Sequence, residues 1–220
     1  MKPAAKSRCS MLAVRCSMFF GLCVLLGILF YVFPLFRIVP LDAAVEEKQS
    51  KTFDPKTFAE NFWSNELPDL AAQAVDVRDL VAALESDTNA AKAQHGRTMG
   101  MGDTHYFHVR GSGIVRAVTE GKTIGLSVND GDDIQIEFPT GLIFSNAVRD
   151  ATGLIEVSAF ASSRHFNDIS SELNKKVETE ILPTLRAKAA IGTRLSFVGC
   201  AEIVGEGNAL PLTVIPVSLN

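Results

Sequence analysis

Beyond Arg37 the chain has a single cysteine, Cys200, so that part forms no internal disulfide and depends on an apolar core for stability. It also has few of the residues that usually carry chemistry. There are four histidines, one tryptophan and two tyrosines in 220 residues. No G-x-S-x-G elbow, phosphate-binding G-x-x-x-x-G-K-[ST] loop, G-x-G-x-x-G fingerprint or H-E-x-x-H pair occurs. His105 and His108 are three apart, which on a strand turns them to opposite faces, poor geometry for a shared metal. Asn129-Asp130-Gly131-Asp132-Asp133 lacks the alternating ligands and the distant bidentate glutamate of a calcium loop and reads as a hairpin turn. No metal or cofactor is implied.

Charge is missing in two places. No acidic residue precedes Asp42, and no charged residue of either sign lies between Arg15 and Arg37. The stretch MFFGLCVLLGILFYVFPLF, Met18 to Phe36, is almost wholly apolar, and as a helix it would cover roughly the 30 Å of a bilayer core. Lys2, Lys6, Arg8 and Arg15 precede it, and a basic flank stays cytoplasmic. The expected arrangement is a bacterial inner-membrane signal-anchor, N-in, with the main domain in the periplasm. The best cleavage site follows Ala43 and places Leu41 at −3, a poor match, so an uncleaved anchor is favoured. Cys9, Cys16 and Cys23 recur every seven residues, and chance is the better reading than self-association; none follows the small residues a lipidation site needs. Past Arg37 the remaining 16 basic side chains face all 25 acidic ones, a formal charge of −9. That balance argues against nucleic acid or anionic lipid as a partner.

The remaining chain divides by texture. Residues 1–37 are basic flank and anchor, 38–52 a polar stalk, 53–96 a helical region packed on the barrel, and 97–220 the β-barrel domain. In FDPKTFAENFW, Asp54 is a natural N-cap and Pro55 suits the first helical position. Pro68 is expected to end that helix. A second helix starts near Asp76, with Leu80 and Leu84 on one face, and a third runs from Asp87 to Gly96. From His105 onward the pattern is strand, turn, strand, with Gly111 and Gly113 suggesting a bulge or bend. LIFSNAV and GLIEVSAF continue it as strands across an Arg149-Asp150-Ala151-Thr152-Gly153 turn. Phe166, Ile169, Leu173, Val177 and Ile181 mark a helix capped by Ser162 or Ser163 and broken or kinked at Pro183. Two final strands follow. The expected fold is α+β: an N-terminal transmembrane helix, a short helical region, then a small OB-like antiparallel β-barrel with a late inserted helix. A twisted sheet with the helix on one face is the alternative.

Arg149 and Asp150 are the conspicuous polar pair. The simpler reading is a turn, in which Asp150 bonds forward to backbone amides and Gly153 supplies a left-handed dihedral, while Arg149 pairs with a carboxylate across the barrel mouth. The functional reading has Arg149 fork onto a ligand. The segments FDPKTFAENFW, HYFHVRGSGIV, AVRDATGLIEVSAF, SSELNKKV and LSFVGCAEI with VIPVSL resemble, in this order, a bacterial family of predicted periplasmic lipoproteins of unknown function. The resemblance spans roughly residues 53–219. Its most specific element is the RDATG turn with Leu173 and Asn174 on the later helix. It implies an exported protein accessory to a sugar-type ABC transporter, touching transporter subunits or a solute-binding protein. Arg149, Asp150 and Asn174 become candidate ligand- or partner-binding positions, and no catalytic residue is implied. A structural envelope protein without a small ligand is the second reading. A carbohydrate-active enzyme using Asp150 with Glu137 or Glu156 is the third.

Overall fold

A computed structural model of the chain describes residues 53–100, 102–160, 162–207 and 209–219, together with Leu22. Apart from Leu22, the expected membrane segment, its basic flank, the three early cysteines and the stalk lie outside the described residues. Among the described residues, no helix is long and apolar enough to cross a membrane.

The helices begin where short polar side chains can cap them. Asp54 accepts from the Lys56 amide and starts α1 (Pro55–Asn61), with Pro55 in its first turn. Asp76 caps α3 (Val77–Ser86), and Asp87 caps α4 (Thr88–His95) by accepting from the Asn89 and Ala90 amides. Each cap supplies an acceptor to helix-start amides that have no intrahelical partner.

Pro68 does not end the first helix. A π-helical turn at Phe62–Glu66 leads into α2 (Leu67–Leu70), which contains Pro68. The Leu67 amide donates to the Phe62 carbonyl five residues back, so the turn has already widened where proline, lacking an N–H, arrives. The device recurs at Pro183. The long helix α6 (Ser163–Lys176), capped by Ser162, widens at Val177–Ile181 and continues through Leu182-Pro183 as α7 (Leu182–Lys188). The Leu182 amide again reaches back five residues, to Val177.

Two short strands, β1 (Val75–Asp76) and β2 (Arg97–Thr98), flank the principal strand β3 (Thr104–Thr119). β4 (Thr123–Ser127), β5 (Ile136–Pro139), β6 (Arg194–Val204) and β7 (Leu212–Leu219) complete the sheet. β3 pairs with β6 over Thr104–Ile114 and with β4 from Ile114 onward. β4 then pairs with β5, β5 with β7 in parallel, and β7 with β6. The pairings thus return to β3, and no strand of this circuit is left with an open edge along its whole length. The Asn129–Asp133 stretch is the loop between antiparallel β4 and β5, where Asp130 takes a positive φ of 60° and accepts from Arg194 at 2.5 Å.

Two expectations about strands need correction. The register irregularity in β3 lies between Val115 and Ala117, not at the glycines. Gly111 and Gly113 instead permit close approach. A Cβ on Gly111 would overlap Val77 of α3, and one on Gly113 would come within 3.0 Å of the Ser127 carbonyl oxygen. LIFSNAV and GLIEVSAF are not strands either. They form irregular chain around a short helix, α5 (Ala147–Asp150), with a 3-10 turn at Val157–Ala159. Their buried apolar residues Ile143, Ala147, Val148 and Ile155 do not alternate, whereas Leu142, Phe144, Leu154 and Val157 are exposed. The apolar residues that suggested a period of two largely face solvent.

Phe53–Asn220 pack as one compact unit. Inside the strand circuit, Phe138 and Phe197 meet edge to face at 4.9 Å, with Ile124, Leu126, Ile136 and Leu212 buried among them. Phe53 and Phe58 stack on Phe160 at 5.2 and 5.5 Å, and Phe160 meets Phe166 at 5.8 Å, which joins α1 to α6. Cys200 is fully buried, and burial pushes its thiol up to about 12, so it stays a thiol.

Gly111→Ala should destabilise the fold by about 1–3 kcal/mol through overpacking against Val77. Denaturant titration should show most of that cost disappearing when the substitution is made in a Val77→Ala background.

Candidate functional site

The segment from Thr140 to Asp150 has few ladder partners, and its backbone polar groups must be satisfied another way. The helix α6–α7 supplies them, one turn at a time and running antiparallel to the segment. Arg186 Nη2 donates to the Thr140 carbonyl at 2.6 Å. The Ile143 amide donates to Glu178 Oε1 at 2.7 Å. Asn174 Nδ2 donates to the Ser145 carbonyl at 2.9 Å, and Ser170 Oγ to Asn146 Oδ1 at 3.0 Å. Arg149 Nη1 donates to the Phe166 carbonyl at 3.1 Å and to Asn167 Oδ1 at 3.3 Å. The helical spacing of positions 166, 170, 174 and 178 makes this seam regular.

Arg149 and Asp150 lie at the last turn of this seam. Asp150 does not bond forward to backbone amides, and Arg149 does not reach across the sheet. The two residues pair with each other: Nε to Oδ1 at 2.6 Å and Nη2 to Oδ2 at 2.9 Å. Only 4 % of Arg149 and 1 % of Asp150 is exposed. The guanidinium also lies 3.6 Å over the Phe166 ring. The expected role of Gly153 holds, with φ of +70°, and the Arg97 guanidinium occupies the space a Cβ would take there.

The structure therefore brings Arg149 and Asp150 into one buried cluster and places Asn174 two turns along the same seam. The Asn174 Oδ1 has no hydrogen-bond partner among the described residues. Sequence reading missed two ionisable neighbours from the strands. Burial first, then the negative charges of Asp150 and Glu202, push Tyr106 up to about 12. Burial, with Asp150 adding to it, raises Glu202, opposed by hydrogen bonds from the Ser145 hydroxyl and the Asn146 amide. Neither residue has a motif around it, since strand pairing alone brings Tyr106 opposite Glu202.

Two openings flank the cluster. One, of about 430 Å³, lies between the helical region and β3 and is lined by His95, Arg97, Tyr106, His108 and Thr152 among others. The other, of about 360 Å³, is lined by Glu202 and by Leu142, Phe144 and Val204. Phe144 is 90 % exposed, and Leu142 and Val204 are exposed as well. Burial lowers the His108 pKa, and its Nε2 is buried without a hydrogen-bond partner among the described residues.

Asp150→Ala should cost about 3–5 kcal/mol by leaving the buried guanidinium unpaired, and the Arg149→Met/Asp150→Ala double variant should cost less than that single change. Equilibrium unfolding of the three proteins measures both terms. Glu202 has a folded pKa above 4.5, so the folded state keeps a proton the unfolded chain has released. Its contribution to stability is thus lost as pH rises from about 4.5 through the folded pKa. Glu202→Gln should raise the melting temperature at neutral pH, and that gain should shrink as pH falls below the window. A gain independent of pH would contradict this.

No curated protein matches the chain. Among solved structures, the crystal structure of an OB-fold protein from Thermotoga maritima is similar, with a TM-score of 0.68 at 22 % identity. The match covers 77 % of this chain and 99 % of that one and establishes a likeness of fold. In this chain β3, β4 and β5 are followed by the long helix α6 and then by β6 and β7. Residues 26–220 match the family described as predicted periplasmic lipoprotein (DUF2291), a family of unknown function, and with nearly its whole length matched the chain belongs to that family.

Proposed function

We propose that the chain is a non-catalytic binding or accessory module held at the periplasmic face of the inner membrane by the Met18–Phe36 segment, where it serves a sugar-type ABC transporter. The closed circuit of strand pairings supports reading the sheet as a small OB-like barrel, a scaffold that many binding modules share. The observation that carries the binding reading is the open cavity of about 430 Å³ beside β3, within the range of small-molecule sites. The exposed apolar side chains of Leu142, Phe144 and Val204 around the second opening are of the kind found where proteins meet partners.

The carbohydrate-active alternative is weakened at its first residue. A general acid–base pair needs a carboxylate with an oxygen free to face substrate. Asp150 directs both of its oxygens to Arg149 and is sealed from solvent, so neither Glu137 nor Glu156 has a partner there. The structural-envelope reading keeps Arg149, Asp150 and Asn174 as fold elements only, and their burial fits it as well.

Mild cross-linking of the full-length protein in native membranes, followed by purification and mass spectrometry, separates these readings. The accessory role predicts recovery of transporter subunits or a solute-binding protein. Recovery of only the chain itself or of envelope-structural proteins would overturn the transporter link.

A further inference from the structure

The cavity beside β3 has a chemical bias. Its lining includes Arg97, His95, His108, Gln73, Gln94 and Thr152, and no aspartate or glutamate. In a domain with a marked excess of acidic residues, an opening without a carboxylate on its walls is an uncommon place for an anion to avoid repulsion. Asp150, whose charge is felt at the lining residue Tyr106, is paired with Arg149.

Arg97 is held at this wall by backbone and shape. It pairs with Tyr106 across β2 and β3, which fixes its position on the rim. Gly153 has no side chain, and the guanidinium lies where a Cβ would stand. Among the described residues Arg97 has no ion-pair partner, although four other arginines do. A planar, permanently charged fork left unpaired beside a cavity suits a carboxylate. His108 adds a half-buried ring to the lining, and its buried Nε2 has no hydrogen-bond partner among the described residues, an unmet capacity a hydroxyl group could satisfy after a small ring rotation. The two glutamine amides and the Thr152 hydroxyl offer both donors and acceptors around the mouth. A volume of about 430 Å³ is near the small end for ligand sites.

We propose that this cavity binds a small hydroxylated carboxylate, with Arg97 taking the carboxylate and His108, Gln73, Gln94 and Thr152 taking hydroxyl groups. The inference rests on the binding-module reading and names the ligand class, but it does not depend on the transporter link.

Calorimetric titration of the detergent-solubilised full-length protein tests it with three probes: D-gluconate, D-sorbitol and inorganic phosphate. Gluconate and sorbitol share a carbon skeleton and differ in the carboxylate. The expected result is gluconate binding at least about tenfold tighter than sorbitol and than phosphate, with that advantage lost in Arg97→Gln. Arg97 is exposed, so the variant should fold, and an unchanged melting temperature checks this. No heat from gluconate, equal binding of sorbitol, or an unaffected Arg97→Gln variant would overturn the proposal. Phosphate binding as tightly as gluconate would overturn the hydroxyl assignment. Cross-linked capture of a transporter is read separately: its loss with gluconate binding intact would remove only the transporter link.

Discussion

The buried pair of Arg149 and Asp150 is the constraint on which the join between sheet and helix depends. Moving two charges out of water is costly, and the mutual attraction offsets that cost only if the remaining donors and acceptors are also satisfied. Here both carboxylate oxygens accept from the guanidinium, whose last nitrogen reaches α6 at Phe166 and Asn167. The pair cannot relax independently of the helix start. It therefore fixes the register in which the Thr140–Asp150 segment lies along α6–α7. Asn174, Ser170 and Glu178 then extend that register one turn at a time.

The same register depends on an unbroken helix. Pro183 would be expected to interrupt the seam between Glu178 and Arg186, because it removes a donor and its ring opposes the carbonyl of Thr179. The widened turn at Val177–Ile181 accommodates it, and both side chains keep their partners in the segment. The equivalent turn at Phe62–Glu66 lets the first helix pass Pro68, burying Phe62 completely. In each case a leucine amide reaches back five residues just before the proline, so these are two uses of one local solution.

Much of this was legible in the sequence, and the rest failed for physical reasons. Caps were readable because Asp54, Asp76, Asp87 and Ser162 act on amides two or three residues away. The strands of the β3–β5 region, the helix marked by Phe166 to Ile181 and the last two strands were readable because alternation and helical spacing are local patterns, whereas the two further strands expected at LIFSNAV and GLIEVSAF are absent. The Thr140–Asp150 segment was misread because its backbone partners are helix side chains up to 46 residues distant. Nothing in LIFSNAV distinguishes a strand paired in a ladder from a chain held by a helix. Arg149 and Asp150 were conspicuous, yet the favoured reading was a turn in which each bonds elsewhere, and their pairing with each other in a buried cluster was not legible. Arg97 was never conspicuous, because its significance comes from strand pairing with Tyr106 and from the missing side chain at Gly153.

That reversal follows from how the helical region is added to the strand circuit. The circuit's own interior is packed with Phe107, Phe138 and the aliphatic residues around them. Space arises where residues of α2, α4, β1 and β2 converge beside β3, since β1 and β2 each pair with it over only two residues. Side chains at such a junction range from half-buried, as His108 is, to exposed, as Arg97 is. The segment carrying Arg149 and Asp150 forms one wall of the junction through Ala151 and Thr152. The buried pair thus acts on the opening indirectly, by holding that wall in place while its own charges remain out of reach.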